Sequence, residues 1–77
     1  MDISVLTFGQ IADITGGGSL TISNINDTDE LMRQLNVLFP PMQSLRYSIA
    51  VNQKIIRENT TLKKADTVAL LPPFSGG

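Results

Sequence analysis

The residues with the clearest chemical potential are the last two, Gly76 and Gly77. The carboxylate of Gly77 is an acyl group that another protein could activate. Because neither position carries a Cβ, this end of the chain can pass through a channel too narrow for any other residue. The rest of the 77 residues offers little chemistry of its own. No Cys is present, which excludes disulfides, thiolate metal sites and cysteine nucleophiles. No His is present either, which removes the usual general base and the commonest metal ligand. A self-contained hydrolase or a zinc site is therefore not expected. If the chain takes part in catalysis, a partner supplies most of the machinery and Gly77 is the candidate reacting group.

The residues before this pair are suited to presenting it. Val68-Ala69-Leu70-Leu71 is a short unbroken apolar run, the pattern of a strand covered on both faces. Pro72 and Pro73 cannot donate to a ladder and hold φ near −65°, so the strand stops and the chain leaves the sheet extended. From Pro72 to Gly77 the tail spans at most roughly 20 Å. Phe74 adds an aromatic anchor and Ser75 a small polar residue before the glycines. These features divide the chain into a folded domain, 1–71, and a flexible tail, 72–77.

Composition limits the partners. Apolar residues make up 42% and charged residues 17%, a globular rather than disordered balance. At this length a single domain buries only about 60% of its unfolded surface, so its core is marginal without partners. The net charge is −1, and the six basic residues, Arg33, Arg46, Lys54, Arg57, Lys63 and Lys64, are scattered. No basic stripe is available to hold nucleic acid, and Lys63-Lys64 reads as a solvated turn. No apolar run approaches 18 residues and the start of the chain lacks a signal pattern, so no membrane contact and a cytoplasmic setting are expected.

The elements that must position the tail follow from periodicity. Ile3 to Phe8 reads as a strand, with Ile3, Val5 and Thr7 on one face and Ser4, Leu6 and Phe8 on the other. Gly9 to Thr15 can form one or two helical turns before Gly16-Gly17-Gly18. The triple glycine lacks the Lys-Ser/Thr of a phosphate loop and reads as a flexible hairpin connection into a second strand, Ser19–Ser23. Asp27 and Glu30 form an acidic capping box that starts a helix near Thr28. Leu31, Met32, Leu35, Leu38 and Phe39 form one apolar stripe, read as core, and Pro40-Pro41 closes the helix at or before Phe39. Arg46–Val51 is a third strand with Tyr47, Ile49 and Val51 on one face. Asn52-Gln53 turns it into a short returning strand, Lys54–Arg57. Leu62 can plug the core from the polar connection that follows.

By periodicity alone the class is α+β. The ending Leu70-Leu71-Pro72-Pro73-Phe74-Ser75-Gly76-Gly77 resembles that of the ubiquitin-like sulfur carriers, the MoaD/ThiS family, and is most similar to the small subunits of molybdopterin synthases. Asn52-Gln53-Lys54 resembles their Val-Asn-Gln hairpin, and Leu6-Thr7-Phe8-Gly9 with Ile14-Thr15-Gly16 is a weaker match. Family members commonly show Gly-Asp where this chain has Ala65-Asp66, which puts a left-handed turn at position 65 in doubt. Ala12 stands where relatives often carry a basic residue. The resemblance implies a β-grasp (ubiquitin-like) fold: a mixed sheet with one main helix packed on one face, and the first and last strands adjacent and parallel.

The same resemblance implies a function. The Gly77 carboxylate would be adenylated with ATP by a ubiquitin-activating-type adenylyltransferase, then converted to a thiocarboxylate by a sulfur-donor enzyme. The sulfur would pass to the dithiolene of molybdopterin inside the large synthase subunit, in a heterotetramer. No cofactor is expected to stay bound; ATP belongs to the activating partner. If Val68 and Leu70 face the helix, then Leu71 shares the opposite face with Leu6 and Phe8, and Phe74 extends this docking patch onto the tail formed with Ser75, Gly76 and Gly77. Two other readings compete with this one. One is a sulfur carrier for thiazole synthesis, where the diproline is not typical. The other is a ubiquitin-like modifier or a plain binding module.

Overall fold

The computed structural model describes residues 2–72. Its first strand, β1 (Asp2–Thr7), buries every second residue, Ile3, Val5 and Thr7, as the alternation predicts. It pairs antiparallel with β2 (Ser19–Ser23) and parallel with the last strand, β5 (Thr67–Leu71). β3 (Ser48–Val51) runs antiparallel to β5, and β4 (Lys54–Ile56) returns along β3. The order across the sheet is β2-β1-β5-β3-β4. With its first and last strands central, adjacent and parallel, the sheet has the β-grasp arrangement.

Two helices and a 3₁₀ turn complete the elements among the described residues: α1 (Gly9–Thr15), α2 (Thr28–Leu38) and Pro40–Ser44. The acidic box starts α2 as its spacing requires. Asp27 Oδ1 accepts from the Glu30 N–H at 2.8 Å, while Glu30 Oε1 accepts from the Asn26 N–H at 2.8 Å, one residue before the usual partner. The next donors are also met, the Asp29 N–H by Asn59 Oδ1 at 2.9 Å and the Thr28 N–H by the Thr60 carbonyl at 3.0 Å. The segment after β4 is thereby tied across the start of α2, and Leu62 is buried beside it.

The core lies between α2 and one face of the sheet. Leu31 and Leu35 meet Ile3, Val5, Ile49, Val68 and Leu70, all less than a tenth exposed. The apolar stripe on α2 is narrower than the sequence suggests. Met32 and Leu38 are exposed and Phe39 is only partly buried. Met42, in the 3₁₀ turn that Pro40 initiates, is buried in the core.

The triple glycine, after the helical turns expected over Gly9–Thr15, leads into β2, the antiparallel neighbour of β1, as expected; Gly16, at φ +85°, caps α1, with the Gly16 and Gly17 N–H groups both donating to the Ala12 carbonyl. Thr7 pins the same loop, its hydroxyl donating to the Gly17 carbonyl at 2.6 Å and its N–H to that of Gly18 at 2.9 Å. The third strand begins at Ser48 rather than Arg46. Ala65 takes the left-handed conformation at φ +74° despite its Cβ, so the turn put in doubt by Ala65-Asp66 is present.

Candidate functional site

The register of the sheet assembles the site on the face away from α2. Leu6 pairs with Ala69, Ala69 with Ala50, and Ala50 with Ile55. Residues opposite one another in a ladder share a face, so these four form one uncharged row across β1, β5, β3 and β4. Its two ends are exposed, Leu6 by 37% and Ile55 by 59%, whereas Ala69 is half-buried and Ala50 buried. Phe8 lies one step beyond β1, and its extended backbone, φ −139° and ψ 154°, carries the alternation onward. It shares the Leu6 face and is 46% exposed. Leu71, opposite Ser48 at the end of β5, is half-buried on the same face. Large exposed side chains clustered in this way mark an interaction surface more than singly scattered ones do.

The exit of the chain adjoins this surface. Pro72 follows Leu71 directly, and its Cγ lies 3.5 Å from where a Cβ on Gly9 would sit. Gly9 itself has φ +56°, a conformation that favours glycine. The chain therefore leaves β5 against the first residue of α1, next to Phe8. Expected site residues Phe74, Ser75, Gly76 and Gly77, with Pro73, lie outside the described residues.

Leu6, Phe8 and Leu71 thus stand together as their alternation predicts. Ala69 and Leu71 are half-open rather than covered, so β5 is buried on one face and not on both. Ile55 and Ala50 were not anticipated. The signal was present: Ile55 and Ile56 are adjacent on one strand, and adjacent side chains point to opposite faces, so one isoleucine had to face outward.

A second set of polar contacts fixes the other end of the face. Asn52 and Gln53 both have positive φ, +50° and +73°, as a two-residue hairpin turn of the primed type requires. The Asn52 N–H donates to the Thr67 carbonyl at 2.8 Å, and its side-chain oxygen accepts from the Thr67 N–H at 3.0 Å. Asn52 Nδ2 donates to Asp66 Oδ1 at 2.9 Å, and Asp66 Oδ2 accepts from the Lys63 N–H at 2.8 Å. These bonds, that from Asn52 first, hold the Asp66 carboxyl below its ordinary range.

Elsewhere a cleft of about 350 Å³ lies between α2 and β4, lined by Met32, Tyr47, Ile49 and Ile56 with Asp29 and Arg57 among its polar residues. Burial raises the Tyr47 phenol above its ordinary range, which keeps it neutral. The first N–H groups of α2 beside this cleft are already satisfied, so they offer no anion site. Among the described residues no group of three His, Cys, Asp or Glu could hold a metal ion. No helix among them is long and apolar enough to cross a membrane.

The profile of the ThiS family matches residues 5–77, from within β1 to the glycine pair. The chain belongs to the ThiS family. Among ThiS-like relatives, a protein of Chlamydomonas reinhardtii named molybdopterin synthase sulfur carrier subunit is 31% identical, the alignment covering 100% of both chains. A solved complex of subunits 1 and 2 of the molybdopterin-converting factor from Helicobacter pylori contains a chain 34% identical to this one, with a TM-score of 0.76 and 100% of both chains covered. The small archaeal modifier protein 1 of Methanosarcina acetivorans, at 22% identity and a TM-score of 0.82 over 99% of this chain and 96% of that one, shares the fold. Family membership spans both the apolar face and the terminal glycines.

Proposed function

We propose that this ThiS-family chain is the sulfur-carrier subunit of a molybdopterin synthase. The observation that carries the reading is the apolar surface of exposed Leu6 and Phe8 with half-buried Leu71, at the point where Pro72 leads the chain toward Gly77. A surface and a tail that adjoin can be engaged by one partner, with the surface fixing the orientation in which the tail is threaded. The full-length similarity to a named sulfur-carrier subunit, and to a subunit found in complex with its larger companion, supports the large synthase subunit as that partner. In this reading residues 1–71 are the docking domain, 72–77 the carrier tail, and the setting is cytoplasmic.

The chemistry follows from the acyl group. A carboxylate is a poor acyl donor because its leaving group would be oxide. Attack of the Gly77 carboxylate oxygen on the α-phosphorus of ATP, on an adenylyltransferase, releases pyrophosphate and leaves an acyl-adenylate. A persulfide sulfur of the donor enzyme then attacks the acyl carbon and expels AMP. A thiol reductant supplies two electrons to cleave the resulting acyl disulfide, which leaves a thiocarboxylate on Gly77. In the large subunit that sulfur bonds to an electrophilic carbon of the pterin precursor, displacing an oxygen substituent. Water then hydrolyses the acyl–sulfur bond of the resulting thioester, which leaves the sulfur on the product and restores the Gly77 carboxylate. This chain contributes sulfur and position; acid, base and the substrate pocket belong to the partner.

The test is reconstitution with the adenylyltransferase, ATP and a persulfide donor, read by intact mass. One oxygen of the chain should be replaced by one sulfur, and deletion of Gly77 or addition of one residue after it should abolish the change. Unaltered loading of the extended chain would sink the proposal. Complementation separates the two sulfur pathways: recovery of molybdoenzyme activity is expected in a strain lacking its molybdopterin synthase small subunit. Rescue only of a strain lacking the thiazole sulfur carrier would assign the chain to thiamine synthesis.

A further inference from the structure

The outer face of the sheet also carries a depression of about 300 Å³, lined by Leu6, Asn52, Gln53, Thr67 and Ala69. Its shape follows from the strand order. β5 lies between β1 and β3, so Thr67 and Ala69 form the floor, Leu6 one wall and the Asn52-Gln53 turn the other. The hollow exists because position 69 is alanine. A larger side chain there, opposite Leu6 and Ala50 in register, would fill it.

The far wall is held in place. Asn52 is bonded through its backbone N–H and its side-chain oxygen to Thr67 and through its amide nitrogen to Asp66, so the turn cannot swing away without breaking three hydrogen bonds. A preformed wall loses little entropy when the hollow is occupied. By contrast, neither the Gln53 side-chain amide nor the Thr67 hydroxyl has a hydrogen-bond partner among the described residues. Both stand at the depression, where they can bond the backbone of an incoming segment.

The lining identifies the kind of occupant. All five residues are uncharged, so a phosphate, nucleotide or carboxylate would lose hydration without gaining a positive charge to offset it. The volume is at the bottom of the range of small-molecule sites, roughly 300–1,000 Å³. It suits one bulky apolar side chain. Leu6 belongs both to this depression and to the exposed row, so the hollow is continuous with the surface assigned above to the large synthase subunit.

We infer that this depression is an anchor pocket for one apolar side chain of the large synthase subunit, with Gln53 and Thr67 bonding the backbone beside it. The inference rests on the sulfur-carrier reading. Once seated, the anchor fixes the end of the docking face opposite the tail, and so resists rotation of the domain about Phe8 and Leu71. Buried apolar anchors in preformed pockets carry a large share of the affinity of an interface.

The experiment measures, by calorimetry, the affinity of the purified large synthase subunit for four forms of this chain: unaltered, Ala69→Leu, Thr67→Leu and Phe8→Glu. Ala69→Leu fills the hollow from its floor; Thr67→Leu narrows it and removes a hydroxyl, while leaving the Thr67 backbone bonds in place. Thermal melting of each free chain checks the fold, and the second filling variant serves if the first does not fold. Both filled variants should bind about tenfold or more weakly at an unchanged melting temperature. If they bind within about twofold of the unaltered chain while Phe8→Glu binds weakly, the anchor pocket is overturned and the docking face stands. If Phe8→Glu also binds normally, the docking reading itself fails. Loss of self-association in the filled variants, with large-subunit binding intact, would assign the hollow to a second copy of this chain and overturn the proposal equally.

Discussion

Pro72 is seated against Gly9: a Cβ built on Gly9 would lie 3.5 Å from Pro72 Cγ, at ordinary contact distance, while Gly9 holds φ +56°. There is room for a methyl group, so it is the backbone that demands glycine. Gly9→Ala should destabilise the chain by about 1–2 kcal/mol through the left-handed conformation alone. Chemical denaturation measures the loss. If Pro72→Ala, which removes the ring beside Gly9, restored the stability of Gly9→Ala, steric contact and not φ would be the cause.

Ala65 poses the reverse case. It holds φ +74° with a Cβ, a strain that glycine would not feel. Ala65→Gly should raise stability by about 0.5–1 kcal/mol, part of the relief being offset by the greater freedom of glycine in the unfolded chain. A rise in the urea midpoint at unchanged slope is the expected result. A fall would mean that the turn is held by the Ala65 methyl group and not despite it.

Asp66 predicts a pH dependence. Its carboxyl is held below the ordinary 3.8 by the Asn52 amide and the Lys63 N–H. A group whose pKa is lower folded than unfolded contributes stability above the unfolded value and loses it as pH falls through the folded value. The unaltered chain should therefore weaken as the solution is acidified below about pH 4, and Asp66→Asn should show a shallower loss over that range. Equal slopes for the two proteins in acid urea titrations would remove Asp66 as the cause.

Exposure separates the residues proposed to dock from those that hold the fold. Phe8 is nearly half exposed and Leu71 less so, whereas Val68 is buried completely. Phe8→Glu should change the free chain's stability by no more than about 0.5 kcal/mol, Leu71→Glu by about 1–2 kcal/mol, and Val68→Glu should unfold it. Binding of the large synthase subunit should fall for both Phe8→Glu and Leu71→Glu, because docking would desolvate an unpaired carboxylate. A chain unfolded by Phe8→Glu would place that side chain in the core.

The sequence by itself determined whatever depends on local period and covalent geometry. The alternation in β1 sorted Ile3, Val5 and Thr7 from Ser4, Leu6 and Phe8. The Asp27-Glu30 spacing started α2, Pro40 ended it, and Pro72 ended β5. Only the tertiary structure decided which apolar residues stay open. Met32 and Leu38 have the periodicity of core residues but are exposed: Met32 lines the open cleft between α2 and β4, and Met42, arriving through the 3₁₀ turn, joins the core instead. Ile55 and Ala50 join the face of Leu6 only through the pairing of β3 with β5 and β4, a long-range register that periodicity within one strand cannot specify. The left-handed turn at Ala65 has the same origin. Local preference disfavours it, but the hydrogen bonds that Asn52 makes to Asp66 and Thr67 from a different part of the chain hold it in place.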